Sequence, residues 1–245
     1  MKWNATASAF AARMMATALV VAVSTIGSAP TAGGDEAKDA LEAKQLVEQA
    51  KAAVDGFAGD KQTGKAVRDL IKKAKGVYVA PGVLRGAFIV GASGGSGVLL
   101  VRGDKGAWNG PAFYTIGDVS FGFQAGGDKS EVLLLIMSDR GVKSMLGSSI
   151  KLGADASVAA GPVGAGAQAE TANLSADILS FSQSKGLYAG VSLDGAVMAK
   201  REGLNEAYYH KADITPTEIL IKGTPMHNTE AAALKGEISK LASAK

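Results

Sequence analysis

Cysteine is absent from the 245 residues of the chain, and histidine occurs only at positions 210 and 227. The lack of cysteine excludes disulfides, thiolate metal sites, a cysteine nucleophile and a cysteine-borne lipid anchor. Two histidines are too few for most zinc sites made only of protein ligands. We therefore expect no metal and no cofactor, and we expect His210 and His227 to be solvated or to lie at helix ends.

Glycine, in contrast, is abundant, with 32 residues in the chain, nearly twice the average usage of about 7%. Hydrophobic residues make up 47% and charged residues 20%, which is ordinary for a packed globular protein. The glycines lie between short apolar runs and form no repeat. This pattern predicts tight turns and bulges in a β-rich domain.

Residues 1–29 have the features of an export signal. Lys2 and Arg13 precede an apolar stretch that reaches Ala29, and this stretch is shorter than the roughly 20 apolar residues of a membrane-spanning helix. We expect a cleaved signal and export to the periplasm or cell envelope; the residues leave the cleavage site open, because Pro30 directly follows Ala29 and Ser24 is a competing position. Removal of this segment takes away two cations and no acid, leaving a net charge of +1. A global attraction to nucleic acid is therefore not expected.

The periodicity of apolar residues changes along the chain. Helical spacing predicts helices over residues 36–55, 64–75, 140–147, 205–211, 216–221 and 229–241. Short apolar runs bounded by turn residues predict strands over 77–80, 87–90, 98–102, 113–123, 132–138, 150–159, 178–183, 187–193 and 196–201. The expected fold is α+β, a mostly antiparallel sheet, barrel- or sandwich-like, with flanking N- and C-terminal helices. We divide the chain into a signal peptide (1–29), an N-terminal helical segment (30–63) and a domain (64–245).

A basic cluster lies in the predicted helix 64–75. Five cations face one acid, Asp69, and four of them follow the three-to-four spacing of one helix face; the cations are Lys65, Arg68, Lys72, Lys73 and Lys75. Such a helix can lie on an anionic lipid surface, where each cation contributes about 1 kcal/mol. The same pattern is also typical of a solvated outer face above a buried apolar stripe, and the cluster alone does not separate these two interpretations.

Motifs for enzymatic chemistry are weak. Ser93 is the central residue of a G-x-S-x-G sequence, but a hydrolase elbow requires a following helix, and the pattern instead predicts a glycine-rich connection between two strands. Residues 59–65 match the spacing G-x-x-x-x-G-K of a phosphate-binding loop, but Ala66 occupies the position where that loop has Ser or Thr. We expect a non-enzyme, with a serine hydrolase centred on Ser93 as an alternative.

The most informative segment is SFSQSKGLYAGVSLDG, residues 180–195, a polar turn between two strand-like runs. It occurs in order with four other segments: GVYVAPGV from Gly76, GASGGSGVLLVR from Gly91, WNGPAF from Trp108 and GPVG from Gly161. Asn205 and the Tyr208-Tyr209 pair follow. Together these segments resemble the SYLF domain family over residues 65–224.

This resemblance implies a domain that binds phosphoinositides or other acidic lipids, without catalysis or a cofactor. In that family, basic residues beside an N-terminal amphipathic helix are thought to meet the membrane. The matching positions are Lys65, Arg68, Lys72, Lys73 and Lys75. Some eukaryotic members also bind actin filaments, which we do not expect here, because an export signal points to a bacterial envelope protein.

Three hypotheses result. The first is a non-enzymatic module that docks on acidic phospholipid through the helix 64–75, assisted by Arg85 and Arg102 if the fold brings them to that face. The second is a structural or protein-interaction protein of the cell envelope. The third is the serine hydrolase. The headgroup of the lipid and the oligomeric state are not encoded in any pattern that we identify.

Overall fold

The structure, a computed structural model, describes residues 32–87, 90–121, 126–162, 175–225 and 228–244. Within these ranges the side chains of residues 32–34, 85–87, 90–92, 118–121 and 126–128 are not described. The predicted signal peptide (1–29) and His227 lie outside the described residues.

Five α-helices and one π-helical turn occur in the described ranges. The helices are α1 (Ala32–Gly59), α2 (Gly64–Ile71), α3 (Asp139–Ser144), α4 (Glu202–Tyr209) and α5 (Thr229–Ser243), and the π-helical turn is Thr217–Ile221. Every helix predicted from the periodicity has a counterpart here. The predicted helix 64–75 is too long, because α2 ends at Ile71.

Nine strands form one sheet in the described ranges. They are β1 (Gly76–Ala87), β2 (Val90–Arg102), β3 (Trp108–Phe121), β4 (Gly126–Ile136), β5 (Ser149–Lys151), β6 (Val158–Ala160), β7 (Ile178–Ser184), β8 (Leu187–Gly190) and β9 (Val197–Lys200). Their order is β5-β9-β3-β2-β1-β4-β7-β6, with β8 paired to β7, and the pairing of β6 with β7 is parallel. The sheet curls into a half-barrel, so the predicted α+β class with a mostly antiparallel sheet is confirmed.

The central strands are buried on both faces. In β4 the consecutive residues Leu133, Leu134 and Leu135 are fully buried. Since successive side chains of a strand point to opposite faces, both faces of β4 are covered. Helices cover one face, where Phe57 of α1 meets Tyr188 with ring centroids 5.2 Å apart. The other face lines the interior of the half-barrel.

The glycine-rich segment 91–95 is part of β2, so the predicted connection between two strands is wrong. Its residues pair with β1 on one side and β3 on the other, as Gly94 does with Leu84 and with Gly117. The glycines serve close packing: a Cβ on Gly95 would lie 2.3 Å from the carbonyl oxygen of Gly82. Strands β1 and β2 are therefore longer than the apolar runs indicated.

The segment that begins at Ser180 folds as the hairpin β7–β8. Lys185 and Gly186 form its two-residue turn, with φ values of 51° and 80°, as the hairpin geometry of primed turns requires. At the end of β8 the backbone touches the chain before β7, since a Cβ on Gly190 would lie 2.0 Å from the oxygen of Gly161. The predicted polar turn between two strands is confirmed, and its glycines allow two backbones to meet.

Candidate functional site

The predicted basic helix is shorter than its sequence indicates. After Ile71 the backbone tightens, with the amides of Lys73 and Ala74 both bonded to the oxygen of Leu70. The next amide, that of Lys75, bonds to Ile136 on β4, so the chain has already entered the sheet. The single cationic helix face from Lys65 to Lys75 is therefore not formed.

Two of the predicted lysines share one acid. The Nζ atom of Lys65 lies 2.8 Å from Asp69, and that of Lys72 lies 3.3 Å from the same carboxylate. The hydrogen bond from Lys65 lowers the pKa of Asp69, and Lys72 contributes in the same direction. Both pairs are partly exposed, and such pairs typically contribute about 0–1 kcal/mol. These pairs are weak enough that another anion can replace Asp69 as the partner of either lysine.

The remaining cations of this segment point in different directions. Lys75 forms an ion pair of 2.5 Å with Asp139, the first residue of α3. Arg68 donates to the carbonyl oxygen of Ala58, at the end of α1. Lys73 is exposed and has no ion-pair partner among the described residues.

Arg102 has a structural position. Its guanidinium donates to the carbonyl oxygens of Ile71 (2.9 Å) and Lys72 (3.2 Å) and lies over the ring of Trp108, 4.9 Å from the centroid. It therefore fixes the end of α2 on the sheet. Arg85 is not brought to this cluster: it lies nine residues along β1 from Gly76, roughly 30 Å at strand spacing, and its side chain is not among those described.

The strand pairing places further cations at the end of the sheet where β1 begins. Gly76 at the start of β1 pairs with Val101 and Ile136, the ends of β2 and β4. The chain before β1, the β2–β3 turn and α3 therefore lie together. We call this region the basic end; its cations are Lys72, Lys73, Lys75, Arg102, Lys105, Arg140 and Lys143.

Three lysines of the basic end are exposed and form no ion pair within the described part of the chain: Lys73, Lys105 and Lys143. They come from three separate connections. Lys105 and Lys143 were missed by the sequence reasoning because they are isolated in the sequence, and only the strand pairing brings them near Lys73.

A buried carboxylate holds α3 at this end. Asp177, whose side chain is 6% exposed, accepts hydrogen bonds from the hydroxyls of Ser138 (2.5 Å) and Ser157 (2.7 Å) and from the Ser157 amide (2.9 Å). Arg140 donates from its Nε at 2.9 Å. These donors, Arg140 above all, hold the pKa of Asp177 far below its usual range. Asp177 thus keeps its charge and orients Arg140 and the start of α3.

A second feature is a cavity of about 280 Å³ inside the half-barrel. Side chains from five strands line it, together with the connection between β8 and β9. The lining residues are Val83, Ser93, Ile116, Gly117, Ser130, Val132, Ser182, Val191, Ser192, Leu193 and Ala196. The sequence reasoning placed no cavity here, although the alternating serines of SFSQS could have indicated a row of small inward-facing side chains.

The hydrolase alternative finds no support in the geometry around Ser93. Neither a histidine nor a carboxylate occurs among the described side chains that line its cavity; the side chain of Asp118, the cross-strand partner of Ser93, is not described. A β-strand follows the serine where an elbow needs a helix. His210 is exposed at the end of α4, with a left-handed backbone. Across the described residues, no group of three or more potential ligands could hold a metal ion, and none of the helices described is long and apolar enough to cross a membrane.

Known proteins match a large part of this chain. A family model described as "Ysc84: Las17-binding protein actin regulator" matches residues 117–241. SH3 domain-containing YSC84-like protein 1 of Xenopus laevis is 34% identical over 167 residues, 67% of this chain and 49% of the relative. The Homo sapiens protein of the same name is 34% identical over 158 residues, 64% of this chain and 46% of its own.

A yeast relative is more distant. Protein YSC84 of Saccharomyces cerevisiae is 31% identical over 159 residues, 63% of this chain and 33% of the relative. The chain thus spans about half the length of the vertebrate relatives and a third of the yeast one. The resemblance noted in the sequence is confirmed.

Proposed function

The chain belongs to the SYLF (Ysc84) family, and from this premise we propose that it is a non-catalytic binding module whose basic end docks on acidic phospholipid surfaces. The observation that carries the proposal is the convergence of Lys73, Lys105 and Lys143. They are exposed, they form no ion pair within the described residues, and they come from three connections at one end of the sheet.

The expected strength follows from the number of these cations. A lysine near an anionic membrane surface contributes about 1 kcal/mol, and the exposed Asp104 beside Lys105 offsets about one of the three lysines. The net contribution is therefore about 2 kcal/mol, which corresponds to a preference of about thirtyfold for anionic over neutral membranes. Lys65, Lys72 and Lys75 add to it where lipid phosphate replaces the exposed carboxylates of Asp69 and Asp139.

A cell-envelope location belongs to this proposal. The export signal expected over residues 1–29 would deliver the domain to a compartment bounded by membranes that contain acidic phospholipid. N-terminal sequencing of the protein recovered from the envelope fraction tests it. A mature chain that starts near residue 25 or 30 supports export, and an intact Met1 in the cytosolic fraction contradicts it.

The docking proposal is tested by vesicle co-sedimentation of a charge-reversal variant. Lys73→Glu/Lys105→Glu removes two exposed cations and adds two anions at the basic end. The loss of the two cations alone, about 2 kcal/mol, lowers partitioning onto phosphatidylglycerol vesicles roughly thirtyfold. Binding of the unaltered chain should also fall as salt is added, since the lysines are exposed.

The matched control is Lys44→Glu/Lys185→Glu, which has the same net charge. Lys44 precedes Gln45, which lines a groove with Gly82, six residues along β1 from Gly76. Lys185 follows Ser184, six residues along β7 from Ile178, which pairs with Ile136. Both positions therefore lie roughly 20 Å from the basic end. The control should bind within threefold of the unaltered chain; equal losses in both variants would contradict a specific docking end.

A protein partner is the second candidate. It is favoured by the description of the family model, which names Las17 binding and actin regulation. Under this alternative the unaltered chain would bind neutral and anionic vesicles equally weakly, and the Lys73→Glu/Lys105→Glu variant would keep its location in cells. The vesicle experiment therefore separates the two candidates.

A further inference from the structure

The interior cavity exists because small residues occupy the inward positions of the sheet around it. On β7, Ser182 lines the cavity, whereas its neighbours Phe181 and Gln183 point to the opposite face. On β2 and β4 the corresponding positions are Ser93 and Ser130. A strand that buried its inward face in a filled core would carry larger apolar residues there.

Hydrogen bonds fix the β8–β9 connection that lines the cavity. The buried hydroxyl of Ser180 donates to the carbonyl oxygen of Val191 at 2.5 Å and lies 3.2 Å from that of Ala159. The amide of Val191 bonds back to the oxygen of Ser180 at 3.2 Å, and that of Gly195 to Leu152 at 2.9 Å. The connection that carries Val191 and Leu193 is therefore held in place, which makes the cavity a preformed space.

The chemistry of the walls selects the kind of occupant. Among the side chains that the structure describes, six aliphatic ones and four serines line the space, together with Gly117, and none of these residues is charged or aromatic. A phosphate or carboxylate would find no cation among them, and burying a charge without a partner is costly. A planar aromatic ligand would find no ring on which to stack. The walls suit a flexible apolar chain, with hydroxyls that tolerate one uncharged polar group.

We propose that this cavity binds a single unbranched aliphatic chain, either of a free amphiphile or of a phospholipid. A methylene group is about the size of a water molecule, whose share of liquid volume is about 30 Å³, so 280 Å³ accommodates a chain of roughly nine carbons. The proposal does not rest on membrane docking, because the cavity lies in the half-barrel and shares none of its lining residues with the basic end.

The experiment measures the affinity of the purified chain for 1-alkanols, from hexanol to dodecanol, by calorimetry. Each added methylene should raise the affinity about fourfold up to about nine or ten carbons, beyond which the affinity should level off. Affinity that is independent of chain length, or that keeps rising through dodecanol, would overturn the proposal, since neither behaviour reflects a cavity of this size.

Variants on adjacent residues of β7 assign the binding to the cavity. Ser182→Leu fills part of the space and should weaken decanol binding at least tenfold. Gln183→Leu, the matched control, adds the same side chain on the opposite face and should change it less than twofold. Val132→Ala enlarges the space and should move the levelling-off to a longer alkanol, which tests the proposal even if Ser182→Leu fails to fold. Equal binding by all of these variants would overturn it.

A further arm identifies the source of the chain. The protein is incubated with phosphatidylglycerol vesicles and separated from them, and the phospholipid that stays bound is measured. About one phospholipid per protein molecule, released by decanol, indicates that a phospholipid acyl chain occupies the cavity. Decanol binding without retained phospholipid indicates a free amphiphile. Alkanol binding should be unaffected by salt and by Lys73→Glu/Lys105→Glu, so that failure of membrane docking and failure of the cavity proposal are distinguishable.

Discussion

Replacing Asp177 with asparagine removes a buried negative charge that ties α3 to the sheet. The change keeps the size of the side chain but substitutes an amide NH₂ for one of two oxygens that receive bonds from Ser138, Ser157 and Arg140. At least one donor then faces another donor, and Arg140 loses its charge partner. Because the Arg140 side chain is 69% exposed and stays solvated, the cost comes mainly from a buried hydroxyl or amide donor that loses its acceptor, about 1–3 kcal/mol, which we expect as the loss in the free energy of unfolding at pH 7.

The pH dependence of this loss has a definite sign. The folded-state pKa of Asp177 is well below its usual range, and that of the unfolded chain is about 3.9. The stabilisation is therefore complete above about pH 5 and is lost as the pH falls toward the folded-state pKa. The stability gap between the unaltered chain and Asp177→Asn should narrow steadily below about pH 4.

Urea unfolding at pH 7 and pH 3 measures both effects. Asp139→Asn is the control, because Asp139 is a neighbouring carboxylate whose side chain is 76% exposed and pairs with Lys75; its loss should cost less than about 1 kcal/mol. The reasoning is refuted if the two variants lose the same stability at pH 7, or if the gap for Asp177→Asn is as large at pH 3 as at pH 7.

Two further substitutions test whether Gly190 and Asn205, two residues of the segments that resemble the SYLF family, stabilise the fold. Gly190→Ala should unfold the protein or lower its free energy of unfolding by more than about 3 kcal/mol, because the new Cβ would lie 2.0 Å from the oxygen of Gly161. The control is Gly236→Ala on α5, where the new Cβ meets open space; it should be neutral or stabilising by up to about 1 kcal/mol. Thermal unfolding compares the two variants. Asn205→Leu should cost about 1–3 kcal/mol, because the buried Phe113 amide, which donates to Asn205 at 2.9 Å, loses its acceptor; a neutral result in urea unfolding would contradict this.

Much of the architecture could be predicted because local patterns agree with it. The apolar run at residues 132–138 predicted a strand, and in its counterpart β4 Leu133, Leu134 and Leu135 are fully buried. The Lys185-Gly186 turn was recognisable as polar and glycine-containing. Local reasoning was wrong about residues 91–95, because glycines that permit a close approach of two strands have the same sequence signal as glycines in a turn.

The candidate sites were harder to predict, because they depend on long-range pairing. Lys73 could be identified in its basic run, but Lys105 and Lys143 join it only through the pairing of β1 with β2 and β4. Arg102 appeared as one more cation in the sequence, whereas its bonds to the backbone at Ile71 show a structural role. The cavity depends on the inward orientation of Ser93, Ser130 and Ser182 on three different strands; the alternating serines of SFSQS indicate the contribution of β7, but the meeting of the three strands is a long-range property.

The central claim is that one end of the sheet meets the membrane, and single-site labelling tests it most directly. Because the chain contains no cysteine, Lys105→Cys and Lys44→Cys each accept one environment-sensitive fluorophore. With phosphatidylglycerol vesicles, the account predicts a blue shift of the emission for the label at position 105 and an unchanged spectrum for the label at position 44. A shift at position 44 alone, or equal shifts at both positions, would contradict docking through the basic end.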